Sequence, residues 1–165
     1  MLRLGLCCVF LNEPITFRRS TATALLRMER PAALAKLAEI CLHNADSLHK
    51  ALVYCAANGI GDFRVNSQIL PVKTHPDAGY TVEDLPESVE IVRRFTACGT
   101  LAAHHDIRLT FHPDQFILLS SPNPDVTRRS LADLAYHAEV ATWIGADVIN
   151  IHGGGMYGDK QTALT

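Results

Sequence analysis

Short apolar segments alternate with longer segments of helical spacing along the whole sequence. Each apolar segment is bounded by turn residues and is too short for an independent helix, so each predicts a β-strand. The segments recur at intervals of about 40 to 60 residues, a spacing typical of repeated βα units. The predicted strands occupy residues 2–11, 60–65, 107–111 and 147–151. The alternation therefore predicts the order β-α-β-α-β-α-β and a parallel sheet.

Three segments between the strands carry helix start and stop signals. The first begins at Pro31 and ends at the Asn58-Gly59 pair, with apolar residues every three or four positions between them. The second is predicted from a cap-like Thr81 to about residue 105, and the third from residue 124 to 143. The intervening segments 12–23, 68–80 and 113–123 are predicted to be exposed loops.

Right-handed crossovers would bring the ends of all four strands to one edge of the sheet. The first strand, being almost continuously apolar, is expected to be buried on both faces. A complete (β/α)8 barrel typically has about 250 residues, whereas this chain has 165. We therefore predict an α/β fold that supplies about the first four βα units of a TIM-type barrel. Residues 1–165 are expected to be the N-terminal half of a single barrel domain, and hence a fragment.

Composition limits the classes of function. The net charge of −2 excludes a protein that is basic overall, so a polyanionic partner must be bound by a local patch. The apolar run 4–11 is ended by Asn12, Glu13 and Pro14, which argues against a membrane span or a signal peptide. Five cysteines without a C-x-x-C pair indicate reduced, mostly buried thiols and a cytoplasmic protein.

Two histidines follow predicted strands directly. His112 and His152 would lie at neighbouring strand ends, where an α/β fold gathers the ligands of a metal site. A single histidine of this kind is more often a packing or surface residue than a ligand, but two at equivalent strand ends favour a shared role. Two imidazoles do not complete a catalytic metal site, and no carboxylate stands at a matching strand end. The missing ligands are therefore expected beyond Thr165.

The predicted loops also carry candidate residues. His75 and Lys73 lie in a proline-rich loop at the same edge, and we predict that they are catalytic by holding a phosphate or a metal-bound water. Arg64, close to a strand end, is either paired with a carboxylate or directed towards the site. The histidines on helices are interpreted as structural. The loop cations predicted to contact a polyanion are Arg18, Arg19, Lys73 and Lys160.

An ordered set of short motifs resembles the UV damage endonuclease (UVDE) family. Each motif alone has little specificity, but the set runs in family order across nearly the whole chain. The motifs are Arg3-Leu4-Gly5, Asn58-Gly59-Ile60, Phe63-Arg64-Val65-Asn66-Ser67, Leu70-Pro71, Thr74-His75-Pro76, His112-Pro113-Asp114-Gln115-Phe116, Ser121-Pro122-Asn123-Pro124, His152-Gly153-Gly154 and Tyr157-Gly158-Asp159-Lys160.

The resemblance implies a (β/α)8 barrel that cuts DNA on the 5′ side of UV photoproducts and other distorting lesions. It implies that His112, His152 and His75 bind divalent metal, commonly Mn²⁺, with Zn²⁺ or Co²⁺ as alternatives. Gln115 and Phe116 match a Gln-Tyr pair that is wedged into the duplex beside the damage. The implied partner is damaged double-stranded DNA, with no obligate protein partner.

The chain also departs from the family. Leu6 and Phe10 stand where the family has polar or aromatic residues that probe the lesion, and the remaining metal ligands of the family belong to the second half of the barrel. The chain by itself is therefore expected to be inactive. Two other interpretations stay open: a sugar isomerase or aldolase-like metal-dependent barrel, and a non-catalytic half-barrel that acts as a binding module.

Overall fold

Parallel strands in sequential order form the centre of the fold. The computed structural model describes residues 2–155 and residue 161. Within these residues, one sheet has the order β1-β2-β3-β4, and every neighbouring pair is parallel. The strands are β1 (Gly5–Cys7), β2 (Asp62–Val65), β3 (Arg108–Phe111) and β4 (Val148–Ile149), and the helices are α1 (Ala22–Leu26), α2 (Arg30–Ala57), α3 (Ser88–His104) and α4 (Pro124–Ile144).

The sequential strand order is that of a barrel wall. A doubly wound sheet reverses direction at a switch point, whereas a barrel adds each strand beside the last. Alternate side chains of the strands, such as Phe63 and Phe111, are buried in one hydrophobic core with residues of α2, α3 and α4. The opposite face carries Arg64, Arg108 and Thr110 and is at least partly exposed. The predicted parallel α/β order is thus confirmed.

The prediction for the first strand is wrong in length and in burial. Only Gly5–Cys7 pair with β2, and within the described residues β1 is the edge strand of the sheet. The side chains of Leu2, Leu4 and Leu11 are exposed rather than buried. Helices cover only one face of this edge strand, so an apolar run in it is not buried on both faces. Hydrophobicity alone therefore predicted a strand that is too long and too buried.

The loop that follows β1 is more closely packed than expected. Thr21 caps the short helix α1 by accepting a hydrogen bond from the backbone N–H of Ala24 at 3.2 Å. Ile15 is buried in the core, although the segment 12–23 was predicted to be exposed. The segment is therefore a loop that is anchored to the core by apolar side chains, among them Ile15 and Phe17.

The predicted start of the second helical segment, at Thr81, is also wrong. Thr81 and Asp84 do form a reciprocal capping box, but it opens a single 3₁₀ turn, Val82–Asp84. Pro86 lacks a backbone N–H and restricts the residue before it, and Leu85 is extended with ψ of 140°. The helix α3 then begins at Ser88 after Glu87 in the left-handed region.

Two further findings concern the state of the cysteines and the apolarity of the helices. Cys41, Cys55 and Cys98 are buried, and all five cysteines are free thiols. Burial raises the pKa of Cys41 and Cys55 to about 11 and that of Cys98 to about 12, which keeps these thiols protonated. Among the residues that the structure describes, no helix combines the length and apolarity that a membrane span needs.

Candidate functional site

His112 and His152 meet at the carboxyl ends of two adjacent strands. The ladder between β3 and β4 continues one step past β4, because the N–H of Asn150 donates to the carbonyl of Phe111 at 2.9 Å. The chain therefore delivers both imidazoles to the same edge of the sheet. Their Nε2 atoms lie 3.0 Å apart, and the rings are stacked with centroids 4.8 Å apart and planes 29° apart. The predicted convergence of the two strand-end histidines is found.

Arg64 reaches the other side of the His112 ring. Its Nη1 lies 3.4 Å from His112 Nδ1. Because a guanidinium only donates, Nδ1 must accept, and a neutral His112 then carries its proton on Nε2. In that tautomer the proton would lie between the two Nε2 atoms, and Nε2 of His152 would accept it. Of the two alternatives left open for Arg64, the structure therefore has the arginine directed towards the site.

The separation of the two nitrogens suits a shared metal ion. Imidazole nitrogens bind Zn²⁺ at 2.0–2.1 Å, so two ligands of one tetrahedral ion lie about 3.3 Å apart. The observed 3.0 Å between the Nε2 atoms is close to that distance. Within residues 2–155 and 161, no third His, Cys, Asp or Glu joins them to form a metal-binding group. The donor set of the described residues thus fits a metal ion but does not complete its coordination.

A polar cleft of about 410 Å³ surrounds the histidine pair. Two arginines, Arg19 and Arg64, line it, and Asp114 is its one acidic lining residue among the described part of the chain. The other lining residues are Cys8, Val65, Asn66, Ser67, Gln68, His112, Pro113, Gln115 and His152. The cleft thus has an excess of positive charge beside two potential metal ligands.

The loop after β3 presents Gln115 and Phe116 to solvent. Asp114 organises the loop, since its side chain accepts from the N–H of Phe116 at 3.1 Å and its carbonyl accepts from the N–H of Ile117 at 2.9 Å. The Phe116 ring is 70% exposed, which is unusual for a large apolar side chain. An exposed aromatic residue on an ordered turn is well suited to stack against another flat group.

Two hydrogen bonds hold this loop in place. The hydroxyl of Ser120 donates to the carbonyl of Gly153 at 3.0 Å, which joins the loop after β3 to the glycines after His152. The N–H of Leu118 donates to the hydroxyl of Ser130 on α4 at 2.9 Å. The Ser120 hydrogen bond therefore links the loop that carries Phe116 to the segment that follows His152.

Two arginines and two lysines of the loops were predicted to contact a polyanion, and the two arginines differ in their surroundings. Arg18 forms an ion pair with Glu39 at 2.6 Å, so its charge is already neutralised. Arg19 lines the cleft, and within the described residues it has no hydrogen bond or ion pair. Lys160 lies outside the described residues. A DNA-binding role for each of the four cations stays a prediction.

His75 and Lys73 are not brought to the histidine pair. The Nδ1 of His75 accepts from the N–H groups of Asp77 and Ala78 at 3.2 Å, so this ring stabilises its own turn. Lys73 lies 3.1 Å from Glu139 on α4, and its side chain is only 10% exposed. Neither residue lines the cleft described above. Their predicted catalytic roles, and metal binding by His75, stay predictions.

One residue that positions the site was missed from the sequence. Asn44 is fully buried on α2, and its amide donates to the carbonyls of Arg18 at 3.0 Å and Ile69 at 2.8 Å. Its oxygen accepts from the N–H of Arg18 at 2.7 Å. One side chain thus fixes the loops after β1 and β2 to the same helix. The signal was an asparagine on the apolar face of a helix, where an amide is unfavourable unless it is bonded.

The remaining histidines lie on helices or at a helix end, and none of them lines the cleft. His43 contacts the carbonyl of Thr16 at 3.0 Å, and His104 and His105 pack edge to face. His137 is buried against the ring of Phe111, and its Nδ1 contacts the carbonyl of Asp133 at 2.8 Å. These contacts agree with the interpretation of the helical histidines as structural.

Comparison with known proteins gives a consistent result. A family model described as UV-endonuclease UvdE matches residues 2–165. A UV DNA damage endonuclease of Bacillus velezensis is 38% identical over 156 residues, which cover 92% of this chain and 45% of the relative. One of a Nostoc species is 31% identical over 164 residues, which cover 96% and 49%. The chain thus spans about half the length of these curated relatives.

A solved structure has the same fold. The crystal structure of SacUVDE matches with a TM-score of 0.84 at 20% identity, over 99% of this chain and 53% of that chain. Similarity at this level of identity concerns the fold alone. It confirms the predicted fold class, four βα units of a TIM-type barrel.

Proposed function

The chain belongs to the UV-endonuclease UvdE family, and we propose that it forms part of a metal-dependent DNA-repair endonuclease that nicks the phosphodiester 5′ to UV photoproducts and other distorting lesions. The observation that carries this proposal is the 3.0 Å approach of the Nε2 atoms of His112 and His152 at the carboxyl edge of the sheet. The family assignment favours the nuclease over the sugar isomerase or aldolase-like interpretation. The proposed substrate is damaged double-stranded DNA, and the proposed location is the cytoplasm.

His112 and His152 would hold the divalent ion through Nε2, with His75 as a further ligand. Mn²⁺ is the proposed ion, and Zn²⁺ and Co²⁺ are the alternatives. Such an ion supplies Lewis acidity, which activates water and stabilises charge on phosphate oxygens. Ligation through Nε2 requires the proton of His112 on Nδ1, so the contact from Arg64 would have to be given up. His75 has the same requirement, because its Nδ1 now accepts two backbone N–H groups.

Gln115 and Phe116 would wedge the duplex beside the lesion. Support comes from the exposure of the Phe116 ring and from the hydrogen bonds that attach its loop to Gly153. An inserted aromatic ring unstacks adjacent base pairs, and this costs least where a lesion has already weakened the stack. Phe116 retains the stacking face of a tyrosine but lacks its hydroxyl. Insertion is therefore expected to persist without the polar contact.

A plasmid assay tests the proposal. The protein, in the length in which the cell makes it, should nick UV-irradiated supercoiled plasmid with Mn²⁺ and leave untreated plasmid intact. His112→Ala should abolish nicking, while His49→Ala, which changes an exposed histidine on α2, should not. Equal cutting of both plasmids would refute lesion specificity. Nicking by the 165-residue chain alone would contradict the expectation that it is inactive.

A further inference from the structure

We propose that Arg64 and Arg19 together bind a backbone phosphate beside His112. This inference deepens the proposed function, on which it rests, by assigning residues that hold the DNA strand at the strand ends. It differs from the expected role of loop cations spread over a DNA-binding face, because it places both arginines in one cleft with the two histidines. It also gives a role to Arg64, whose backbone is held in place because it lies in β2.

No carboxylate of the described residues pairs with Arg64. Its side chain lies on the face of β2 opposite the buried Phe63 and Val65 and is half-buried. In the register of the sheet, its neighbours are Cys7 on β1 and Thr110 on β3, and neither carries a carboxylate. Within the described residues, the hydrogen bond to His112 is its one polar contact. A guanidinium has five N–H groups, so most of them remain available.

The other charges on this face are paired among themselves. Two residues before Arg64 on the same face, Asp62 interacts with Arg108 and Arg3 rather than with Arg64. Arg108 also forms an ion pair with Asp147 at 2.9 Å. Six arginines of the described residues form ion pairs with carboxylates, and they are Arg3, Arg18, Arg93, Arg94, Arg108 and Arg128. Arg19 and Arg64 are not among them, and both line the cleft.

Arg19 and Arg64, which form no ion pair within the part of the chain that the structure describes, together offer a site for an anion. Asp114, the one acidic residue among the described lining residues, already accepts the N–H of Phe116. A phosphate offers oxygens in the geometry that a guanidinium fork bonds with two parallel N–H groups. A phosphate held by Arg64 would lie against His112, at the edge of the sheet where chemistry occurs in this type of fold. Because both arginines line the same cleft as His112, we expect the phosphate that they bind to lie close to the proposed site of cleavage.

Titration of a single phosphodiester tests this proposal without any metal. The dinucleotide thymidylyl-thymidine and inorganic phosphate are titrated separately, in phosphate-free buffer with EDTA, while the imidazole NMR signals of His112 and His152 are followed. Both signals should shift with the dinucleotide. Arg64→Gln should weaken its binding about tenfold and Arg19→Gln several-fold, as expected for lost charge-assisted contacts. Binding of inorganic phosphate more than about tenfold tighter than the dinucleotide would instead assign a free phosphate and overturn the backbone assignment.

Matched variants keep the test decisive. Lys50→Gln removes one positive charge from the exposed surface of α2 near the helix end that leads into β2, away from the cleft, and should leave affinity unchanged. An equal loss in Lys50→Gln would indicate diffuse attraction and overturn the site. Arg19 is exposed, so Arg19→Gln gives a decisive result even if Arg64→Gln does not fold. Unchanged affinity in either arginine variant refutes the paired site. If the protein in the length in which the cell makes it binds the dinucleotide but does not nick irradiated plasmid with Mn²⁺, the proposed function is refuted and this site still stands.

Discussion

The Nε2 atoms of His112 and His152 lie 3.0 Å apart, although 40 residues separate the two in sequence. The register between β3 and β4 brings the two histidines together, because Thr110 and Phe111 on β3 pair with Val148 and Ile149 on β4. In each strand the histidine follows soon after the last paired residue. The sheet therefore brings both rings to the same edge.

Divalent metal should bind to this pair. We expect Zn²⁺, measured by titration calorimetry, to bind the chain with an affinity that His112→Ala and His152→Ala each lower at least about tenfold. The affinity should also fall as the solution is acidified, because a ligating imidazole must lose its proton. His49→Ala is the matched control, since His49 is an exposed histidine on α2. Equal affinity in all four proteins would show that the approach of the rings is only a hydrogen bond.

Acid should weaken the contact between α2 and α3. Arg93 and Arg94 donate to Glu90 and lower its pKa to about 2, below the 4.5 of an unperturbed glutamate. Arg94 also bonds Asp46 on α2 at 2.9 Å. A lowered folded-state pKa contributes stability above pH 4.5 that is lost as the pH falls towards 2. Glu90→Gln should therefore lower the urea midpoint at pH 7, and the difference from the wild type should shrink between pH 4.5 and 2.5. The exposed Glu83→Gln should show no such trend.

Periodicity and turn chemistry predicted most of the fold. The helix α2, predicted from Pro31 to the Asn58-Gly59 pair, is found at Arg30–Ala57, and the α4 cap at Asn123 accepts the N–H of Asp125 at 2.9 Å. These signals are local, so a sequence contains them completely. The errors at β1 and at the start of α3 arose where burial or a single proline overrode the local pattern.

The site was predictable in part for the same reason. Strand ends and the motif order indicated His112 and His152, because register follows from the fold class. The engagement of Lys73 by Glu139 was not predictable, since it depends on how the loop 68–80 lies over α4. That no described carboxylate pairs with Arg64 was likewise not predictable, because it depends on which residues lie opposite in neighbouring strands.

Removing the amide of Asn44 should loosen two loops together. Asn44→Ala would leave the N–H and carbonyl of Arg18 and the carbonyl of Ile69 without their partner. We expect a loss of about 2–3 kcal/mol in the free energy of unfolding, the cost of buried polar groups left unpaired. Urea denaturation measures that loss, and hydrogen exchange should be faster at the Arg18 amide. A loss no larger than that of His49→Ala on the same helix would contradict the anchoring role.

The exposed ring of Phe116 should matter for DNA and not for stability. Because the ring is 70% exposed, Phe116→Ala should change the free energy of unfolding by less than about 0.5 kcal/mol. Stacking of a base on an aromatic ring contributes about 1–3 kcal/mol, so affinity for UV-irradiated duplex should fall at least about fivefold. Fluorescence anisotropy with irradiated and untreated duplexes of one sequence measures this. Phe116→Tyr should preserve the affinity because it keeps the stacking face, and Val89→Ala, an exposed apolar residue on α3, should have no effect. An equal loss on both duplexes would mean that Phe116 contacts DNA without sensing damage, because only a weakened stack lowers the cost of inserting the ring.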